Sequence, residues 1–307
     1  MHADQHQPGP RLSLAPTRPA TPRNRPHPSA ELLREARNPL GSYLRARRAR
    51  ITPEQAGLSR TGVRRVPGLR REEVALLAGI SADYYLRLER GRDRNPSAQV
   101  LDAIARALRL DEESVVHLHL LAATSGHGGH RRLSVLTPPA STLNLLHALS
   151  LPAFVEDRYF GILAANAHAT ALSPRLAAGR NQLRDLFLDP AEQSLLPEWE
   201  TITECLVANL RQTAGADIED PRLLELVTGL QALSPRFRML WSRHEVRGQR
   251  ATTLRFAHPR LGELNLHRER LVIDGVEDMT LVMFHPEAGS PEEAALARLA
   301  VEEPVAV

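Results

Sequence analysis

The sequence contains one cysteine, Cys205, and no lysine, so that all 39 Lys/Arg positions are arginines. A single cysteine excludes a disulfide framework and a thiolate metal cluster within the chain, and it suits a reducing compartment. A membrane-spanning helix requires a run of about eighteen apolar residues, and no run in the sequence approaches this length. The first residues also lack the apolar segment of a secretory signal. We therefore expect a soluble, cytoplasmic protein.

The charges are distributed unevenly along the chain. Residues 1–132 contain 23 arginines and 13 acidic residues, whereas the remainder contains 16 arginines and 23 acidic residues. A length of 307 residues with 42% hydrophobic content is enough for two buried cores. This asymmetry indicates a nucleic-acid-binding part joined to a second domain of another kind.

Composition also predicts the boundaries of the domains. The first 28 residues include seven prolines and few apolar side chains, so we expect residues 1–30 to form a disordered tail. Residues 31–124 are predicted to be an all-helical domain of five helices. A stretch rich in glycine and proline, 125–141, reads as a linker. Residues 142–300 form the second predicted domain, and 301–307 a short tail.

The segment GLRREEVALLAGISADYYLRLERGR, residues 68–92, is typical of a helix-turn-helix. Gly79 can adopt the left-handed conformation that ends a helix, and Ser81 is a suitable N-cap for the next helix. Tyr85 and Leu88 then fall on one buried side. Any pair of short helices can match this pattern by chance, but residues 34–94 also carry fifteen arginines against seven acidic residues, which favours a polyanionic partner.

The layout predicts how DNA would be contacted. The outward residues of the second helix should contact the bases, and Arg87 should donate two hydrogen bonds to a guanine. The flanking arginines should contact phosphates, and the arginines of the loop, among them Arg60, should reach a minor groove. Arg87 could instead contact only a phosphate or pair with Asp83. The predicted DNA-contacting residues are Arg64, Arg65, Arg70, Arg71, Ser81, Ala82, Asp83, Tyr84, Leu86, Arg87, Arg90, Arg92 and Arg94. Because one such helix reads few base pairs, we expect a homodimer on the double-stranded operator.

The second domain reads as α+β. Short strands are predicted at PAFVED and YFGILAAN, followed by a helix over 167–172. Apolar stripes predict helices over 197–210 and from Ser234 onward, the latter with Phe237, Leu240, Trp241 and His244 on one face. An antiparallel meander with turns at 259–262 and near Glu269, and a last strand at MTLVMFHP, complete a sheet of about five strands with helices on one side.

The sequence resembles the XRE-type helix-turn-helix regulators with a MmyB-like ligand-binding domain. The resemblance rests on LGSYLRARR, PGLRREEVALLAG, YYLRLERGR, PSAQVLDAIARALRL, NQLRDLFLDP, EWE, LVANLR, DPRLLELV, SPRFRMLWSRHEV, HPRLGELNL and GSPEEAAL, which occur in this order between Pro39 and Leu299. It implies a lambda-repressor-like first domain and a PAS-like second domain. It also implies a small apolar ligand of the fatty-acid kind.

One motif departs from the family. Members usually have a Trp-Asp pair and then Ala-Trp-Asn in the second strand, whereas this chain reads YFGILAAN, with Gly161 in the pair and Ala165 before the asparagine. We expect the resulting space to belong to a ligand pocket, although each aromatic residue could equally be an ordinary part of the core. The predicted ligand-binding residues are Phe160, Gly161, Ala165, Asn166, Trp199, Phe237, Trp241 and His244.

These observations predict a DNA-binding transcription regulator whose second domain senses a small ligand, without catalysis, cofactor or metal. Two other classes stay open. In an enzyme, His244, Glu245 and the carboxylates of EWETITE would be acid-base groups; in a scaffold, the second domain would bind another protein. The histidines His117, His119, His127 and His130 are not expected to hold a metal, because nothing in their spacing orients them together.

Overall fold

The part of the first domain that the structure describes contains the five helices that the sequence predicted between Pro39 and Thr124. The computed structural model describes residues 37–59, 66–93, 95–124, 136–215, 220–246, 252–276 and 278–301. The helices of the first domain are α1 (Pro39–Arg50), α2 (Arg71–Ala78), α3 (Ala82–Glu89), α4 (Ala98–Ala107) and α5 (Glu112–Thr124). The predicted disordered tail and most of the predicted linker lie outside the described residues.

Local signals set the ends of these helices. The side chain of Asn38 caps α1 by accepting a hydrogen bond from the backbone N–H of Gly41 at 3.0 Å. Gly79 ends α2 with a φ of 67°, the left-handed conformation that the sequence predicted. Ser81 then caps α3, since its Oγ accepts from the N–H of Tyr84 at 3.1 Å. The corner between α2 and α3 therefore follows directly from two residues.

Apolar side chains from all five helices make one core in this domain. Val74, Tyr85 and Leu88 are fully buried and bring α2 and α3 together. The helices pack in a ring because α1 contacts both α3 and α5, while α4 contacts α2 and α5. Burial of α3 on one side fixes which of its residues face outward.

In the described residues of the second domain, helices combine with five strands. Its elements are α6 (Ala140–Ala148), β1 (Ala153–Asp157), β2 (Ile162–Ala165), α7 (Ala167–Leu172), α8 (Gln182–Leu188), α9 (Pro190–Leu195), α10 (Trp199–Ala214), α11 (Pro221–Leu233), α12 (Pro235–Ser242), β3 (Thr252–His258), β4 (Gly262–Val272), β5 (Met279–His285) and α13 (Pro291–Val301). The predicted sheet of five strands and the predicted helix over 167–172 are confirmed.

The strands form one antiparallel sheet in the order β2-β1-β5-β4-β3. The predicted turn near Glu269 is wrong, because β4 continues through this residue and pairs with β5 from His267–His285 to Val272–Thr280. Arg268 and Arg270 take the inward positions that Leu264 and Leu266 hold earlier in the same strand. These two arginines interrupt the alternation of apolar and polar residues along β4, and the segment around Glu269 therefore resembled a turn in the sequence.

Helices cover both faces of the sheet, whereas the sequence predicted helices on one side. The larger core lies between the sheet and α7 to α13, and it includes Phe154, Phe256 and Phe284. On the other face, Leu146 of α6 packs against Val155 and Leu281 in a smaller cluster. The short α6 contributes few apolar residues, so its own pattern did not reveal which face it covers.

Candidate nucleic-acid interface and ligand cavity

The outward face of α3 is available for contact. Ser81, Ala82 and Asp83 are exposed, and Tyr84, Leu86 and Arg87 are half-buried. Tyr85 and Leu88, which were predicted to face inward, are fully buried. The N-terminal end of α3 and its first turns are therefore the part of the corner that a DNA groove can reach.

Arg87 and Asp83 form an ion pair across one turn of α3. The guanidinium carbon of Arg87 also lies 5.4 Å from the centroid of the Tyr84 ring. This is the arrangement that the sequence left open as an alternative to base contact. An exposed pair of this kind contributes roughly 0–1 kcal/mol, so it does not prevent Arg87 from turning to a base.

The end of α3 is held in place by a buried carboxylate. Glu89 is 1% exposed, and its two oxygens accept from Nε of Arg48 and Nε of Arg71, each at 2.6 Å. The backbone packing here is also tight, because a Cβ at Gly41 would lie 2.3 Å from the carbonyl oxygen of Glu89. Helix α1 thus fixes α3 from the side opposite to its exposed face. The role of Arg71 in this network was not apparent from its position in the sequence.

The other predicted DNA contacts lie around the same face or outside the described residues. Arg70, Arg90 and Arg92 are exposed on either side of the helix pair. The positions of Arg60, Arg64, Arg65 and Arg94 are outside the part of the chain that the structure describes. Exposed arginines therefore lie at both ends of the corner, and their contact with phosphate stays a prediction.

A cavity lies in the second domain between the sheet and helices α8 to α10. About 20 Å³ of it is open to the centre of a water-sized sphere, which is room for about one water molecule. Its lining is mostly apolar, with four polar side chains. The lining residues are Ser173, Leu176, Gln182, Leu186, Glu192, Leu195, Leu196, Ile202, Leu206, Leu254, Phe256, Arg268 and Phe284.

Arg268 stands out in this lining because it brings a charge into an apolar site. It is 6% exposed, and its Nε is buried without a hydrogen-bond partner among the described residues. Burial is the largest influence on this group and lowers the pKa of the Arg268 guanidinium. The nearby carboxylate of Glu156 accepts a hydrogen bond from Nη1 of Arg270 instead. The Nε–H of Arg268 is therefore a donor that can bind an anion.

A second polar group lies in the same cavity. Oγ of Ser173 donates a hydrogen bond to the Glu192 carboxyl group. Burial raises the pKa of Glu192, so its neutral form is favoured relative to a carboxyl group in water. The cavity therefore combines a cationic donor, a carboxyl group of raised pKa and an apolar body.

The eight residues that were predicted to bind a ligand lie elsewhere. Phe160 and Phe237 belong to the large core, Trp199 packs at its edge, and Ala165 is half-buried at the end of β2. A Cβ at Gly161 would lie 3.0 Å from Oδ2 of Asp157, so this glycine serves the turn between β1 and β2. None of the eight lines the cavity that contains Arg268, and their contact with a ligand stays a prediction.

Asn166 has a structural role that its position before a helix could have indicated. Its Oδ1 accepts from the backbone N–H of Ala169 at 2.9 Å and of Ala153 at 3.1 Å. Its Nδ2 donates to three carbonyl groups, of which that of Leu151 is the nearest at 2.8 Å. Asn166 therefore caps α7 and joins it to β1 and the segment before it.

Trp241 and His244 line a different, smaller cavity at the junction of the two domains. The predicted helical stripe ends at Trp241, because α12 stops at Ser242 and His244 follows with a left-handed φ of 51°. The placement of His244 on this helix was therefore wrong. Nη1 of Arg211 lies 3.1 Å from Nδ1 of His244, and burial holds the pKa of this histidine well below its usual value.

The carboxylates that an enzyme would use are engaged in surface ion pairs. Glu245 pairs with Arg50 at 2.5 Å, Glu198 with Arg255 at 3.0 Å, and Glu204 with Arg243 at 3.5 Å. Within the described residues, no group of three His, Cys, Asp or Glu side chains could hold a metal ion. In the same part of the chain, every helix is too short or too polar to cross a membrane.

Two family models match the chain, one on each domain. A model described as a helix-turn-helix domain matches residues 39–118, which include the corner of α2 and α3. A model described as the MmyB-like transcription regulator ligand binding domain matches residues 138–299, more than half of the chain. No functionally curated protein matches the chain.

Proposed function

Because the chain belongs to the family of transcription regulators with a MmyB-like ligand-binding domain, we propose that it binds a specific DNA operator and that a small molecule controls this binding. The DNA-binding domain is of the XRE, lambda-repressor-like type, and the second domain is PAS-like in its sheet with helices. Neither assignment requires catalysis, and the ion-paired carboxylates of the second domain offer no free acid-base pair at Glu198, Glu204 or Glu245.

The DNA-binding proposal rests above all on the rigid presentation of α3. The helix is capped at Ser81, buried through Tyr85 and Leu88, and fixed at its end through Glu89. Its remaining residues face outward with exposed arginines on both sides. Such a surface suits base contacts from the helix and phosphate contacts from its surroundings.

We further propose that two copies bind one operator. A single α3 can read only a few base pairs, and regulators with this motif place two such helices about one helical turn, roughly 34 Å, apart. The mass of the complex at saturation, measured by sedimentation, tests this directly. Two protomers per operator are expected, and one protomer would overturn the dimer. As a DNA-binding regulator, the protein would act in the cytoplasm at the nucleoid.

The ligand proposal rests on Arg268. The apolar lining suits a hydrocarbon body, and the buried guanidinium, whose Nε has no hydrogen-bond partner among the described residues, suits an acidic head group. A fatty-acid-like molecule combines the two, in agreement with the small apolar ligand that the family resemblance implies. The size of the cavity requires its walls to move apart when such a molecule enters.

A capture experiment with the full chain tests the DNA-binding proposal. Sheared DNA from the chromosome that encodes the chain is passed over immobilised protein, and the bound fragments are sequenced. A small set of fragments with a shared motif is expected. Uniform recovery of all fragments would contradict sequence-specific binding, and turnover of a small molecule without DNA retention would favour the enzyme class.

A further inference from the structure

Arg211, near the end of α10, joins the helices of the second domain at the domain junction. It is 5% exposed, and its Nη2 donates to the carbonyl oxygen of Trp241 at 2.6 Å. Its guanidinium carbon lies 3.9 Å from the centroid of the Trp241 ring. With the contact to His244, these interactions bind the end of α10 to the end of α12 and to the residues that follow it.

The DNA-binding domain docks on this same place. Tyr43 of α1 and His117 of α5 line the junction cavity together with Arg211 and Trp241, and both are nearly fully buried. Their rings meet edge to face with centroids 5.1 Å apart. At the rim, Nη1 of Arg50 lies 2.5 Å from Oε1 of Glu245. The junction therefore has a buried aromatic centre and an ion pair at its edge.

Helix α1 lies between this junction and the DNA-binding helix. One side of α1 presents Tyr43 and Arg50 to the second domain, while another presents Gly41 and Arg48 to Glu89 at the end of α3. A displacement of α1 relative to α10 therefore changes the position of α3 relative to the second domain.

The other end of α10 forms part of the ligand cavity. Ile202 and Leu206 line it, and Arg211 follows Leu206 by five residues, or about 7.5 Å along a helix at 1.5 Å per residue. A cavity with room for one water molecule must open to admit a longer ligand, and α10 is one of its walls. Because a helix moves as a unit, opening the wall at Ile202 and Leu206 also moves Arg211.

We propose that α10 couples the two sites, so that entry of a ligand beside Ile202 and Leu206 weakens the docking of the DNA-binding domain on Arg211. The coupling rests on the proposed function of the cavity, but the docking itself does not. A ligand acts on docking only through different affinities for the docked and undocked forms. The effect is reciprocal, so that a substitution which weakens docking raises the affinity for the ligand.

The test uses the full chain with spin labels at Glu112→Cys on α5 and Ala232→Cys on α11, in a Cys205→Ser background. Arg211→Met is compared with Arg222→Met, a matched control whose guanidinium carbon lies 5.4 Å from the centroid of the Tyr159 ring in the same domain, away from the junction and from the ligand cavity. Arg211→Met should broaden the distance distribution between the labels and raise the affinity for decanoate at least fivefold. The control should retain a narrow distribution and the parent affinity.

The remaining outcomes each contradict one identified part of the proposal. An unchanged distance distribution in Arg211→Met overturns the docking role of this residue, and a broadened distribution with unchanged decanoate affinity overturns the coupling. If the parent protein binds no decanoate while the distances still respond, the proposed ligand class fails and the docking stands. Should Arg211→Met not fold, Glu245→Arg at the rim is expected to broaden the distances, and Arg50→Glu/Glu245→Arg to restore them. Failure of this rescue overturns the docking.

Discussion

Asp83 accepts a hydrogen bond from Nη1 of Arg87, one turn further along α3, on the face of this helix that points away from the core. The pair is exposed and lies beside the ring of Tyr84. Asp83 therefore holds the guanidinium of Arg87 close to α3 in the absence of DNA, and a stronger hydrogen-bond acceptor on a base can displace it. Guanine O6 and N7 form such an acceptor pair in the major groove.

Arg87→Ala should weaken operator binding by about 1–3 kcal/mol and relax specificity at one base position. Fluorescence anisotropy with the operator and with single-base variants measures both effects. Arg106→Ala removes an exposed arginine from α4 and should leave the ranking of the base variants as it is. An equal loss on all sequences in Arg87→Ala would identify a phosphate contact instead.

Arg70→Ala should lower the slope of log affinity against log salt by about 0.9, the value for one lost phosphate contact. Arg70 is exposed at the start of α2 and is a cleaner choice than Arg71, whose Nε is bound to Glu89. Titrations between roughly 50 and 200 mM salt give the slope. Arg180→Ala, in the second domain, serves as the control. If Arg70→Ala has the parent slope, Arg70 does not contact phosphate.

The free energy of unfolding should decrease as the pH is lowered, because His117 takes up a proton more readily in the unfolded chain than in the folded one. Burial lowers the pKa of His117 from 6.5 to about 4. Between these values the unfolded chain binds a proton that the folded chain does not, so stability is lost as the pH falls, by up to about 1.4 kcal/mol per pH unit. Urea unfolding at pH 6.5 to 4.5 should show a shallower dependence for His117→Leu than for the parent. Parallel curves would show that His117 does not titrate as proposed.

Arg268 should discriminate an acid from the corresponding alcohol. Hydrogen bonds to a charged group contribute about 1.5–3 kcal/mol, so decanoate should bind roughly 10- to 150-fold more tightly than decanol. Calorimetry should show that Arg268→Met removes this preference while Arg255→Met, at an exposed ion pair on β3, retains it. Equal affinities for the two compounds in the parent protein would exclude Arg268 as the acid-binding group.

The helix-turn-helix was predictable because its signals are local. Gly79, Ser81, Tyr85 and Leu88 each act within a few residues of the chain, and the structure confirms all four. The ion pair of Arg87 with Asp83 was also visible as an alternative, since the two residues are four apart on one helix.

The cavity was not predictable in the same way. Its walls come from three successive helices, α8 to α10, and from strands β3 to β5, which follow only after two further helices, so aromatic content was a poor guide to its position. A signal was present at Arg268, which follows Leu264 and Leu266 at a spacing of two in β4. This charge at an inward position indicated a polar group in the core, but the same charge made the segment resemble a turn.

The affinity of the full chain for its operator, measured with and without saturating decanoate, tests the central claim of ligand-controlled DNA binding most directly. Allosteric coupling of about 1–3 kcal/mol corresponds to a roughly 5- to 150-fold change in the Kd. We expect a change of at least fivefold in the parent protein and none in Arg268→Met, which retains the DNA-binding domain but loses the acid-binding group. An operator Kd that is the same with and without bound decanoate would contradict the account.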